Sequence, residues 1–282
     1  MPAFAPRLSD LPANAEVSLN LVLETENYFL EAHVFDQDKI FVTFENANPR
    51  GPRPEKYRAG WGSEALRKRR ISTLCVKPKI PDWYLKPDLA EAFVSLRPWL
   101  AGFTRVIAYG GSMGGFGALT YADTMGATDV VAMNPQSTMN PTLVPWETRF
   151  KAAPRGEFVG RYGDAKGNFV NTPRVLILVD RYFPEDWGHV SRLHPGSYRA
   201  VNVPFLQHGL PTALAKMGVL SWMIQSLADD SFTEAEFYRR IRARRQSRRY
   251  IRTMHTLTSG NPRRKAIVAR TLGPVRRDLD DE

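Results

Sequence analysis

From residue 71 onward, short apolar runs rich in β-branched residues alternate with segments whose apolar positions recur at helical spacing, and this pattern restricts the fold more than any other feature of the chain. ISTLCVKP (71–78), RVIAYGG (105–111), DVVAMN (129–134), RVLILVD (174–180) and YRAVNVP (198–204) read as strands, with helical patterns over 87–100, 115–125 and 210–227. Strands separated by helices return to the same sheet in parallel, and near-continuous apolar content means that both faces are covered. Upstream, EVSLNLVLE (16–24), YFLEAHVF (28–35) and KIFVTFEN (39–46) follow one another so closely that they are expected to be antiparallel strands joined by turns. The predicted class is α/β, a mostly parallel central sheet with helices on both faces.

Two segments stand outside the alternation. About 39 residues separate the strand ending near Asn134 from the one starting at Arg174, with Pro135, Pro141, Pro145, Trp146 and Pro154 among them. That is too long for an ordinary connection and predicts a lid-like insertion over about 136–172. The second is the C-terminal stretch. Tyr238 and Ile241, then Tyr250, Met254 and Leu257, fall at helical spacing; Ser259-Gly260-Asn261-Pro262 breaks the pattern, and Ala266–Leu272 forms a further helical segment. A main domain over 1–230 and a basic helical extension over 231–282 are expected.

Charge follows this division. The chain carries a formal net charge of +10, and between Phe232 and Glu282 fourteen Lys and Arg face six Asp and Glu, so +8 of it belongs to the extension. The main domain is nearly neutral, and no nucleic-acid recognition motif accompanies the basic stretch, so nucleic acid is not an expected partner. Docking on an acidic protein or a membrane surface is weighed against a merely solvated arginine face. A chain ending near Asp230 is expected to keep its fold and activity. The single cysteine, Cys75, lies in an apolar strand and excludes both a disulfide framework and a zinc site of several thiolates. No metal or organic cofactor is implied. The N-terminus has no continuous apolar leader core and no run approaches a membrane span, so a cytoplasmic setting is expected.

Chemistry concentrates in RVIAYGGSMGGFGAL (105–119), where Gly110-Gly111-Ser112-Met113-Gly114 is a Gly-x-Ser-x-Gly pattern between an apolar strand and a small-residue helix. A sharp strand-to-helix turn of this kind holds its serine in a strained conformation, and the approach of neighbouring backbones requires glycine on either side. The segment resembles the nucleophile elbow of the α/β-hydrolase superfamily, and strand number, the position of the insertion and later polar residues extend the resemblance over about 200 residues.

The resemblance implies a serine nucleophile, an acid and a histidine in that chain order. Ser112 is the implied nucleophile. His208, in the loop Phe205-Leu206-Gln207-His208-Gly209 after the last strand, is the implied base; His33, His189, His194 and His255 lie where surface or structural roles are more common. The acid belongs just past RVLILVD. Asp186 is favoured, Asp180 is the alternative, and Glu185 is a third candidate. The backbone amide of Met113 is the natural first donor to a tetrahedral oxyanion, and the loop after KIFVTFEN supplies the second, with Asn46 the candidate and Glu45 or Ala47 beside it. Many relatives carry His-Gly in this loop, whereas this chain has Glu45-Asn46-Ala47-Asn48-Pro49. Trp83, Tyr84 and Trp146 are candidate substrate contacts, and Arg58–Gly62 is a weaker one, because loops at the carboxyl ends of parallel strands form such sites. The implied activity is serine-dependent hydrolysis of an ester or thioester, or transfer of its acyl group to an alcohol, on a small-molecule or glycan acyl ester. The alternative is a catalytically idle α/β-hydrolase-like accessory protein that docks a partner, for example in surface glycoconjugate assembly or export.

Overall fold

Every residue from Ile40 to Phe44 is buried, which is the signature of a strand covered on both faces rather than the outer leg of a hairpin. The computed structural model describes residues 19–47, 58–194 and 196–274, and it places this strand in the middle of an eight-stranded sheet. The strands are β1 (Leu19–Glu24), β2 (Tyr28–Val34), β3 (Lys39–Phe44), β4 (Ser72–Pro78), β5 (Arg105–Gly111), β6 (Asp129–Met133), β7 (Arg174–Val179) and β8 (Arg199–Asn202), in the order β1-β2-β4-β3-β5-β6-β7-β8. β2 pairs antiparallel with β1 and β4, while β3 pairs parallel with β4 and β5, β5 with β6, and β6 with β7. The expectation that the first three strands form consecutive antiparallel pairs is thus corrected: β4 inserts between β2 and β3. A strand buried on both faces belongs to the helix-covered interior of the sheet, and there β3 has parallel partners at both edges.

Ten helices are described: α1 (Ser63–Arg67), α2 (Pro87–Leu100), α3 (Met113–Thr120), α4 (Ala122–Met125), α5 (Pro184–Arg192), α6 (Leu210–Lys216), α7 (Val219–Ala228), α8 (Glu234–Arg240), α9 (Arg248–Thr258) and α10 (Pro262–Leu272). The helical pattern over 210–227 is divided by Gly218, whose left-handed φ of 70° starts α7 as a separate helix. Among the described residues no helix is long and apolar enough to cross a membrane. The first eighteen residues, which carry the N-terminal expectation, and residues 275–282 of the extension lie outside the described residues.

The chain divides into two compact units, one made of the residues up to Leu178 with Glu185–Ala200, the other of Val179–Pro184 with Val201 onward. The expected boundary near residue 230 does not separate them. Phe237 and Ile241 are fully buried, and Phe237 stands 5.8 Å from Phe232, itself 5.9 Å from Trp222 of α7. Arg240 caps the same Trp222 ring at 4.6 Å. The extension therefore shares an aromatic core with α7.

In the first unit, the 136–172 segment is tied together by its own hydrogen bonds. Thr138 Oγ1 donates to the Gly163 carbonyl at 2.6 Å, Asn168 Nδ2 donates to the carbonyls of Arg161 and Asp164 at 2.7 and 2.8 Å, and the Ala165 amide donates to Ser137 O at 2.8 Å. Side chains here supply the backbone partners that regular structure supplies elsewhere.

Candidate active site

Ser112 stands between β5 and α3 with φ 51° and ψ −123°, a conformation that costs a non-glycine residue on the order of 1–3 kcal/mol. It is held there from both directions: its amide donates to Met133 O of β6 at 2.9 Å, and its carbonyl accepts from the Phe116 amide at 3.0 Å. A side chain at Gly110 would collide with the Gly114 carbonyl, and one at Gly114 with the Phe44 carbonyl, so both positions demand glycine for close approach. Replacing Gly114 by Ala is expected to displace the elbow from β3 and to lower the melting temperature by several degrees, checked by thermal unfolding.

That approach brings the start of α3 against the end of β3, where the second oxyanion donor was expected. Met113 opens α3, so its N–H has no acceptor within the helix. The loop after β3 is held by Tyr84, whose hydroxyl donates to Glu45 O at 2.7 Å, and by Arg58, which pairs with the Glu45 carboxylate. Asn46 follows directly, with its Oδ1 buried and without a hydrogen-bond partner among the described residues; Asn48 and Pro49 lie outside them.

Two of the expected substrate contacts are core residues. Tyr84 is fully buried against Phe44, at 5.2 Å, and Trp83 is buried edge-on to Phe150 and Phe158 at 5.7 and 6.4 Å. Their aromatic surface is spent on packing, and their place in a strand-end loop gave no means of telling packing from lining. Trp146 is half exposed and lies over Gly188 of α5, where an added Cβ would come within 2.9 Å of its Nε1. Of the Arg58–Gly62 stretch, Trp61 stacks on Tyr109 at 4.8 Å.

Asp186 is fully buried and accepts from Arg149 Nη1 at 2.8 Å. Arg149 also grips Glu147, which accepts from His189 Nε2 at 3.1 Å, and His189 Nδ1 accepts from the Ser137 amide at 3.2 Å. Arg192 extends the network, donating to Ser137 Oγ at 2.7 Å and to Asp164 at 2.8 Å. This Ser-His-Glu sequence of contacts ties the insertion to α5. Burial lowers the proton affinity of His189 despite the pull of Glu147. Burial alone would raise the Glu147 carboxyl, but the bonds from His189 and Arg149 outweigh it and bring it to about 2. Below about pH 6.5 the unfolded chain therefore takes up a proton at His189 that the folded chain resists. Below about pH 4.5 it takes up another at Glu147, and both steps reduce stability as pH falls. The melting temperature is expected to drop on acidification from pH 7 to 3.5, with the portion below pH 4.5 diminished in Glu147→Gln.

The second unit holds the other acid and the loop histidine. Asp180 is buried just past β7, where Oδ1 accepts from the Tyr182 amide at 3.0 Å and Oδ2 from the Gln207 amide at 2.8 Å. Its carboxylate is thus bonded to the residue preceding His208. Phe205, three residues before the histidine, stacks on Tyr182 at 4.7 Å and meets the edge of Tyr250 of α9 at 6.0 Å. The Arg249 guanidinium lies so close to Gly209, the residue after the histidine, that an added Cβ would collide with it. The loop is bracketed by the C-terminal extension.

No protein-family model matches the chain, and no curated protein matches it in sequence. In structure it is similar to the capsule O-acetyltransferase of Neisseria meningitidis serogroup A, with a TM-score of 0.51 at 11% identity over 79% of this chain and 100% of that one. It is also similar to an arylesterase, with a TM-score of 0.50 at 11% identity over 80% of this chain and 89% of that one. The chain has the α/β-hydrolase fold.

Within this α/β-hydrolase fold, backbone strain marks the strand ends. Of the eight non-glycine residues with positive φ among the described residues, Trp83 and Tyr84 follow β4, Ser112 follows β5, Asn134 follows β6, and Phe205 and Gln207 follow β8. Strain of this kind gathers at functional sites. Gln136, beside Ser112, and Glu147, beside His189, were not among the residues expected from the sequence. For Gln136 a signal was present, since a polar residue within a few positions of the end of a buried parallel strand stands at the end of the sheet where such sites form.

Proposed function

We propose that the chain is a serine-dependent ester hydrolase or acyltransferase with Ser112 as nucleophile, His208 as general base and Asp180 as the acid. The observation that carries this reading is Ser112 itself, held at positive φ at the head of a glycine-lined helix whose first amides are uncommitted. The similar structures include an arylesterase and a capsule O-acetyltransferase, which supports acyl chemistry on an ester.

In this reading Ser112 Oγ attacks the acyl carbonyl while its proton passes to His208. The carbonyl electrons move to oxygen, and the oxyanion is met by the amides of Met113 and Asn46. Collapse expels the alcohol, which takes the proton from His208 and leaves the acyl group on Ser112. Water, or a second alcohol such as a glycan hydroxyl, then repeats the sequence and frees the serine. Asp180 fixes the imidazole tautomer and stabilises its charged form. We assign this role to Asp180 rather than Asp186 because Asp180 is bonded to the histidine loop, whereas Asp186 is engaged by Arg149.

Treatment with a fluorophosphonate is expected to add one phosphonyl group to the native protein and none to Ser112→Ala, read by intact mass. Equal labelling of both proteins sinks the proposal. A native protein that takes no adduct and turns over no ester is the idle scaffold.

A further inference from the structure

Beside the elbow lies a polar group that no step above employs. Gln136 is fully buried, three residues past the end of β6, and its Oε1 is 3.4 Å from Ser112 Oγ. Its Nε2 is also buried and has no hydrogen-bond partner among the described residues. Exchanging the two amide atoms does not remove the anomaly, because one would still face Ser112 while the other stayed unpaired. A buried amide left in this state costs on the order of 1–3 kcal/mol, so it calls for a reason.

The backbone that carries Gln136 is fixed on both sides. The Asn134 amide donates to Leu178 O at 2.8 Å, and Pro135 rests on Gly115 of α3, where an added Cβ would lie 3.0 Å from the proline Cβ. On the other side the Ser137 amide is bonded to His189. The fixed backbone and full burial keep the amide beside the elbow, away from water, with its Nε2 donor open to a group that arrives there. The contact with Ser112 Oγ says where: within one or two atoms of the bond the serine attacks.

We propose that Gln136 is a specificity-determining residue whose Nε2–H donates to an oxygen the substrate carries close to the scissile ester. The favoured substrates are then oxygen-bearing esters, of hydroxylated or alkoxylated acids or of polyols and sugars, over plain alkanoyl esters of simple alcohols. A substrate oxygen satisfies the buried donor, and an all-carbon analogue leaves it unpaired after water has been excluded. A site built to bond a substrate oxygen discriminates against the analogue lacking it far more strongly than an apolar pocket discriminates against an added methylene.

This inference rests on Ser112 being the nucleophile, and the test keeps the two apart. Fluorophosphonate labelling of Ser112 reports on the nucleophile alone. Specificity is read with matched esters that differ by one oxygen: 4-nitrophenyl butanoate against 4-nitrophenyl methoxyacetate for the acyl side, and propyl acetate against 2-methoxyethyl acetate for the alcohol side. Each ratio of kcat/KM is corrected for the pair's intrinsic alkaline hydrolysis. The native enzyme is expected to prefer the oxygen-bearing member of one pair by about tenfold or more, the worth of one buried hydrogen bond. In Gln136→Leu that ratio is expected to fall to about one, and in Gln136→Glu, where a carboxylate faces the oxygen, to fall below one. Labelling at Ser112 with no preference in either pair, or with the same preference in both variants, overturns the role of Gln136 and leaves the nucleophile standing. Loss of labelling in the native protein removes the site on which both depend.

Discussion

Asp180→Asn is expected to lower kcat by about four orders of magnitude while KM changes little, the pattern that follows when the acid of such a triad can no longer hold the histidine in its working tautomer. Asp186→Asn is expected to keep most of kcat and to lose thermal stability instead. The contrast comes from what each carboxylate touches. Asp180 accepts the amide of Gln207, which places it on the segment that carries His208. Asp186 is fully buried, as are Glu147 and His189, and it faces the partly buried Arg149, where neutralising it removes one of the two carboxylates that balance the guanidinium and so destabilises the fold. Initial rates on a soluble ester, measured with melting curves of both Asn variants, decide the matter. A large fall in kcat for Asp186→Asn with an active Asp180→Asn returns the acid role to Asp186.

A chain ending at Asp230 is expected to be inactive and to aggregate, contrary to what a separable tail would do. Removal would strip Phe232 from Trp222 and delete Phe237 and Ile241, both fully buried. Burying a side chain of this size contributes about 1.5–3 kcal/mol, so the loss is a large part of the stability of an ordinary domain. It would also take away Tyr250 from the edge of Phe205 and Arg249 from the face of Gly209, the two supports on either side of His208. Tyr250→Ala separates the effects: kcat is expected to fall about tenfold in protein that still elutes as the native species. Arg242 and Arg252 are exposed on the same extension, and replacing both with Gln is expected to alter neither activity nor elution. A truncated chain with native kcat would make the extension dispensable.

The features readable in the chain are those set by neighbours in sequence. Strand runs and the limits of α2 depend on local periodicity, and the turn of the elbow depends on neighbours, because the clash that Gly110 avoids is with the Gly114 carbonyl; Gly114 itself answers to Phe44 of the distant β3. The order of the sheet was not local. Whether β3 pairs with β2 or stands beyond β4 is decided by its partners β4 and β5, which begin almost thirty and about sixty residues after it. The partners that distinguish Asp180 from Asp186 are likewise distant: Gln207, 27 residues on from Asp180, and Arg149, 37 residues before Asp186. The sequence alone determined that a strained serine would stand at the end of a parallel strand. Only tertiary structure decided what surrounds it: Tyr84 holds a loop instead of lining a pocket, Gln136 is buried beside Oγ with a donor to spare, and the basic extension packs on the histidine loop. Burial and pairing are properties of segments brought together from afar, and a carboxylate or an amide takes its role from the partner it meets there.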